Sequence, residues 1–219
     1  MKPYPQKDLL KSNDMSYLSR CHIEKKEYIE TRDVLEKSIR FIREHYKIGR
    51  LNVIVDFCSG HTFNALFALS RNYSKYAWCI DSRFPDSSYR LQTYYQKYVP
   101  RMILKQENIF LTNYNIPEYS LVLSVHPCRD LSYRIAEIAI QNRTPIVIVP
   151  CCTGGNNRKS WIDGFSNINQ YDRHSMKIAQ FLEEHNYEIK IRTINKTYTP
   201  RNNIVIGLPR IGDNLDGIR

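Results

Sequence analysis

With 219 residues and an ordinary mixture of apolar and charged side chains, the chain is long enough for one well-buried domain with extensions and contains no run of about twenty apolar residues that would cross a membrane. Its six cysteines are irregularly spaced, unlike a small disulfide-stapled secreted protein, and the start Met1-Lys2-Pro3-Tyr4-Pro5 lacks an apolar signal core, so a cytoplasmic, reducing setting is expected. Lys and Arg exceed Asp and Glu by 32 to 22; the net charge of +10 favours a polyanionic partner such as RNA, although the excess is spread evenly and marks no basic arm.

Residues 1–27 are polar and carry few apolar anchors, which predicts an N-terminal extension. Over residues 29–46, Leu35, Ile39, Ile42 and Tyr46 recur at helical spacing while Arg32, Glu36, Lys37, Arg40 and Arg43 take the opposite face, predicting an amphipathic helix that Gly49 ends. Strand and helix patterns then alternate: strand 51–57, helix 62–71, strand 76–80, a Tyr-rich helix 87–98, strands 102–105 and 120–125, helix 131–142 and strand 145–149. Such alternation predicts parallel strands with right-handed crossovers, hence an α/β, Rossmann-like sheet covered by helices on both faces. The end of the chain differs. After a loop with Gly154-Gly155-Asn156-Asn157, a helix over 171–185 leads to strands 187–194 and 203–208, joined directly by a turn around Thr199-Pro200-Arg201-Asn202, and strands so joined should pair antiparallel. Residues 28–210 are therefore expected to form one domain and 211–219 a tail.

In an open α/β sheet, ligands bind beyond the carboxyl ends of the strands, near the point where strand order reverses. There the chain places Asp56-Phe57-Cys58-Ser59-Gly60-His61, Asp81-Ser82-Arg83, Gln106-Glu107-Asn108, His126-Pro127-Cys128-Arg129-Asp130 and Pro150-Cys151-Cys152, after strands one to five in turn. Gly60 lets backbone approach a ligand and the next helix start offers N–H groups, the alternative being a generic strand-to-helix turn. Asp81 suits a ribose diol, or else caps the following helix. His126, Cys128, Cys151 and Cys152 end on strands expected to be neighbours and could build a zinc site, supply a nucleophilic thiol, or simply pack. The missing Cys-x-x-Cys spacing weighs against metal, and none is expected. Tyr89, Tyr94, Tyr95 and Tyr98 fit a half-exposed packed face better than a base-stacking surface. Asn156-Asn157-Arg158-Lys159 could contact phosphate or be plain solvated loop.

The segments His126-Pro127-Cys128-Arg129-Asp130-Leu131-Ser132 and Pro150-Cys151-Cys152, with the two carboxylate strands, resemble class I S-adenosylmethionine-dependent methyltransferases over about residues 28–208. Within that class they are similar to the branch marked by His-x-Cys-x-Asp-Leu-(Ser/Thr) and Pro-Cys-Cys, which includes tRNA ribose methyltransferases. The usual Asp-x-Gly-x-Gly-x-Gly loop is replaced here by Asp56-Phe57-Cys58-Ser59-Gly60-His61-Thr62, and the glycine common between Cys and Asp is Arg129. The resemblance implies a mostly parallel sheet with an antiparallel last strand and S-adenosyl-L-methionine as cofactor. It implies that Asp56, Cys58, Ser59 and Gly60 border the methionine part, Asp81 the ribose and Asn108 the adenine edge, with Ser82 and Ser124 in the same cofactor-binding set. His126, Cys128 and Asp130 would lie beside the transferred methyl group, His126 being the candidate base for a hydroxyl acceptor. RNA is the leading acceptor, a small molecule or protein the second, and a catalytically silent binding module the third expectation.

Overall fold

Apolar runs too short for helices become the strands of a single seven-stranded sheet, and the amphipathic stretches between them become its cover. The structure, a computed structural model, describes residues 19, 23–151, 170–195 and 203–210. The expectations for Cys152, for the loop around Asn156-Asn157-Arg158-Lys159, for the Thr199–Asn202 turn, for most of the extension and for the tail lie outside them.

In chain order the elements are α1 (Lys25–Tyr46), β1 (Leu51–Phe57), α2 (Phe63–Ser70), β2 (Ser74–Asp81), α3 (Asp86–Tyr94), a 3-10 turn at Val99–Arg101, β3 (Met102–Gln106), β4 (Leu121–Val125), α4 (Asp130–Gln141), β5 (Ile146–Val149), α5 (Gln170–Glu184), β6 (Tyr187–Thr193) and β7 (Asn203–Pro209). The sheet order is β3-β2-β1-β4-β5-β7-β6. Strands β1 to β5 pair in parallel, and β7 enters between β5 and β6, antiparallel to both. The chain runs outward from β1 to β3 and returns to β4 on the other side of β1. Strand order therefore reverses between β1 and β4, where a crevice is expected.

One face of the sheet packs Leu35, Ile39 and Ile42 of α1, Leu66 and Phe67 of α2 and Leu91 of α3 around Ile54 and Ala77. The other packs Ile135 and Ile138 of α4 and Ile178 and Leu182 of α5 around Val53, Val55, Val122 and Ile148. Each such side chain, fully withdrawn from water, contributes about 1.5–3 kcal/mol, so both helix layers are firmly attached.

Three boundaries differ from expectation for local reasons. Helix α1 starts at Lys25, ahead of both the expected helix start and the expected domain boundary at 28, because Glu24 and Glu27 form a reciprocal capping box that supplies a start without apolar periodicity. It ends at Lys47, which takes the left-handed conformation (φ 53°), so Gly49 is not its terminator. The Tyr-rich helix stops at Tyr94, and the chain reaches β3 through the 3-10 turn around Pro100. Tyr95 and Tyr98 are buried and Tyr89 is exposed.

The β3-to-β4 crossover, residues 107–120, has no helix. It is held instead by buried Ile109, Tyr114 and Ile116, with Tyr114 edge-on to Phe57 at 5.0 Å between ring centroids. Arg134 of α4 donates to the carbonyls of Ile109 and Thr112 (3.1 Å each). Among the described residues no helix is long and apolar enough to cross a membrane.

Candidate functional site

The loop after β1 turns through Cys58, Gly60 and Thr62, all with positive φ (56°, 46° and 65°), although only one is glycine. Hydrogen bonds hold it in this shape. The Ser59 N–H donates to the Ile80 carbonyl (3.3 Å), and the Gly60 N–H donates to Asp81 Oδ2 (2.9 Å), tying the end of β1 to the end of β2. From α3, Ser88 Oγ donates to the Gly60 carbonyl (2.7 Å) and Ser87 Oγ bonds His61 Nδ1. A Cβ at Gly60 would meet nothing within 4 Å, so the outer side of the turn is open.

Asp81 is half-buried; its Oδ1 accepts from the Arg83 N–H (3.1 Å) and lies 3.4 Å from Ser82 Oγ. Asp56 sits one residue before the end of β1 and is 0% exposed, so it lies inside the protein and not on the crevice surface. Asn64 Nδ2 approaches its Oδ1 at 3.4 Å, and Thr31 Oγ1 donates to Asn64 Oδ1 (2.7 Å). Burial, reinforced by the charge of Asp81 and opposed by the Asn64 bond, pushes the Asp56 carboxyl up to about 8. Burial, with Asp81 and Asp56 adding, likewise pushes the Cys58 thiol up to about 12, so it is no thiolate nucleophile at neutral pH. Because β1 pairs in parallel with both β2 and β4, Cys58, Asp81 and the His126–Cys128 segment all lie at carboxyl ends along one edge of the sheet. Ser124 is fully buried, donating to the Phe57 carbonyl (2.7 Å), and therefore braces β4 against β1 from beneath. Asn108 is exposed, and its Oδ1 accepts from the Phe110 N–H (3.0 Å), closing an Asx turn in its own loop.

After β4, His126 takes positive φ (64°) and its N–H donates to the Val149 carbonyl (2.9 Å). Its Nε2 lies 3.1 Å from Oε2 of Glu30, a carboxylate of α1 that is only 3% exposed. A carboxylate only accepts, so Nε2 carries the proton in this bond. Nδ1 is enclosed and has no hydrogen-bond partner among the described residues. Cys128 is exposed, with its Sγ 3.2 Å from that of Cys151, so the strand-four and strand-five motifs do meet. Among the described residues no three His, Cys, Asp or Glu side chains are grouped to hold a metal ion. Arg129 has φ 53°, a conformation that glycine adopts more cheaply. Asp130 is exposed in the first turn of α4, where its charge suits the helix dipole. Ser132 Oγ donates to the Pro127 carbonyl (3.1 Å), and His174 of α5 lies 3.3 Å from that hydroxyl.

Glu30, Thr31 and Asn64 were not among the residues that the strand-end pattern singles out. The available signal was Glu30 itself, an acid one turn before Val34 on the buried face of an amphipathic helix. A groove of about 300 Å³ between α5 and β6, lined by Arg173, Met176, Gln180 and Ile191 among others, contains none of the motif residues and lies toward the far edge of the sheet.

No family model and no curated protein matches the chain. Solved structures do. Streptococcus pneumoniae Sp1610, provisionally assigned as a tRNA (m1A22) methyltransferase and bound to S-adenosyl-L-methionine, aligns at TM-score 0.52 and 11% identity over 79% of this chain and 72% of its own. Precorrin-6y C5,15-methyltransferase from Geobacter metallireducens GS-15 aligns at 0.51 and 13% over 78% and 87%. A SAM-dependent methyltransferase from Aquifex aeolicus aligns at 0.50 and 8% over 84% and 95%. The fold is that of class I methyltransferases. At these identities the likeness concerns the sheet and its cover, and the methyltransferase-type sheet places the Gly60–Asp81 junction and the His126–Asp130 segment on either side of its reversal point.

Proposed function

We propose that this protein transfers a methyl group from S-adenosyl-L-methionine to RNA, in the crevice at the carboxyl ends of β1, β2 and β4. The observation that carries the reading is the bond from the Gly60 N–H to Asp81, which fixes a half-exposed carboxylate beside an open turn at the reversal point of a methyltransferase-type sheet. Asp81 Oδ2 accepts only the Gly60 N–H and keeps a lone pair for one ribose hydroxyl, while Oδ1 accepts the Arg83 N–H and the long bond from Ser82 Oγ, which a second ribose hydroxyl would replace. The backbone of Cys58, Ser59 and Gly60 would line the methionine part, while Asp56, held neutral by burial near pH 7, supports the loop from inside.

The cofactor, when bound, supplies an electrophilic methyl group. The chain's task is then to hold an acceptor in line and shield it from water. Glu30 fixes the His126 ring with its proton on Nε2, and an acceptor hydroxyl that displaces the groups enclosing Nδ1 would give its proton to that lone pair. Cys128 and Asp130 flank that position on the same segment. The RNA part is supported by the +10 net charge and by the likeness of the two late motifs to the branch with tRNA ribose methyltransferases; the likeness to Sp1610 is consistent with it.

Calorimetry with S-adenosyl-L-methionine should show binding that weakens roughly 10- to 150-fold in Asp81→Ala, the loss of one or two charge-assisted hydrogen bonds. Labelled cofactor should pass its methyl group to total RNA, and an unlabelled RNA fraction beside a labelled protein would reject the RNA part. The even spread of charge favours a second reading, a small-molecule acceptor, which label appearing in a metabolite instead would establish.

A further inference from the structure

The strand-four and strand-five motifs bring two thiols together, and methyl transfer gives Cys151 no task. Cys128 Sγ and Cys151 Sγ stand 3.2 Å apart, and a disulfide needs about 2.05 Å. Their backbones are within its reach as well. Strands β4 and β5 are parallel neighbours, about 4.8 Å apart, and hydrogen bonds continue past them: the His126 N–H donates to the Val149 carbonyl (2.9 Å) and the Cys151 N–H to that of Pro127 (3.4 Å). Disulfides join Cα atoms about 4.4–6.8 Å apart, so a bond between these sulfurs asks for side-chain rotation and little backbone movement.

The two thiols differ in access. Cys128 is exposed and Cys151 buried, which gives an oxidant one point of attack and leaves the second sulfur to resolve the adduct. Thiols that serve only packing are enclosed, and Cys128 is not. A metal ion is not favoured, since no third His, Cys, Asp or Glu joins the pair among the described residues. Cys79 is buried, and Cys58, its thiol pushed up to about 12 by burial, has scarcely any thiolate with which to compete.

We propose that Cys128 and Cys151 form a redox modification site, which a low-molecular-weight disulfide such as oxidised glutathione converts from a dithiol into an intramolecular disulfide. Cys128 loses its proton to solvent and attacks one sulfur of the oxidant; the oxidant's S–S bond breaks, one glutathione thiolate leaves and takes up a proton, and Cys128 keeps the other half as a mixed disulfide. Cys151 then loses its proton, attacks Cys128 Sγ and expels the second glutathione. The cysteines give up two electrons and two protons, and the oxidant becomes two thiols. Because Cys128 is exposed, a thiol reductant reverses the bond by the same route. The consequence for activity rests on the methyl-transfer reading above. His126 Nδ1 is enclosed, so an acceptor reaches it only when the segment after β4 shifts, and tying Cys128 to the end of β5 restrains that shift. The reduced chain is therefore the competent form.

The test equilibrates the full chain with oxidised glutathione, blocks remaining thiols by alkylation and maps linked peptides by tandem mass spectrometry. Cys128 should be linked to Cys151, in the parent and in Cys152→Ser alike, and dithiothreitol should release the link; Cys151→Ser should stop at a glutathione adduct on Cys128. A lasting adduct on Cys128 of the parent, or its linkage to Cys58 or Cys152, overturns the site. Labelled methyl transfer should fall on oxidation by up to roughly 100-fold, the cost of about 1 Å of misplacement at reacting groups, and return with dithiothreitol. A disulfide that forms while transfer is undiminished overturns the restraint. A reduced chain that transfers no methyl group overturns the methyl-transfer reading and leaves the disulfide to be decided by the peptide map.

Discussion

Glu30 and Asp56 show how burial, rather than residue type, sets what a carboxylate can do in this site. Glu30 reaches His126 across 96 residues of chain, so no local pattern around the strand-four motif points to it, whereas Asp81 was legible because it ends its own strand. As a positioning residue, Glu30 should control turnover more than binding. In Glu30→Gln we expect kcat for methyl transfer to fall roughly 10- to 100-fold, within the usual range for general acid–base assistance, with KM for both substrates and the thermal midpoint nearly constant; a large drop in midpoint with kcat preserved would mark a merely structural role. Asp56 gives a pH prediction. Burial raises its folded pKa to about 8 from 3.8, so the unfolded chain releases this proton first and the folded state loses relative stability as pH rises between those values. Asp56→Asn removes that loss. Its midpoint should equal or trail the parent's near pH 4 and rise above it toward pH 8, by roughly 2–4 °C per kcal/mol relieved; the same offset at both pH values in thermal melts would rule the mechanism out.

At the scale of elements, the strands were legible because central strands covered on both faces read as unbroken apolar runs, as in Leu51–Phe57 and Ile146–Val149. The antiparallel finish was legible from the direct β6-to-β7 connection, yet the insertion of β7 between β5 and β6 was not, since spatial order leaves no periodicity in a sequence. The sequence pattern places no helix between strands 102–105 and 120–125, as observed, but gives no sign of the clamp that holds this crossover, Arg134 on another element. Gly207 records how tightly β7 is inserted. An added Cβ there would lie 2.9 Å from Ile146 Cγ2, 3.1 Å from Tyr187 Cδ1 and 3.2 Å from Leu182 Cδ1, hemmed in by β5, β6 and α5 together. Gly207→Ala gains about 0.4–1 kcal/mol by restricting the unfolded chain, but overpacking costs about 1–3 kcal/mol. The clash wins, and scanning calorimetry should show a lower midpoint; a rise would mean that the three neighbours yield freely.

For the whole molecule, the +10 charge was plain in the sequence, but its arrangement was not, because the excess is even along the chain and only the strand register shows that Lys105 shares a face with Trp78 while Lys75 lies on the opposite one. This separates two ways of binding RNA. A diffuse positive surface would engage many phosphates, whereas a local site engages only those its own cations can reach. Each phosphate neutralised on a single strand contributes about −0.7 to the slope of log affinity against log salt concentration. A local site that engages two to four phosphates therefore predicts a slope of roughly −1.4 to −2.8. Neutralising a lysine that meets a phosphate should make the slope shallower by about 0.7 and leave S-adenosyl-L-methionine affinity untouched. Anisotropy titrations across a salt series measure this directly. A slope much steeper than about −3 would show that RNA engages a diffuse positive surface, and a slope near zero would remove the electrostatic argument for RNA altogether.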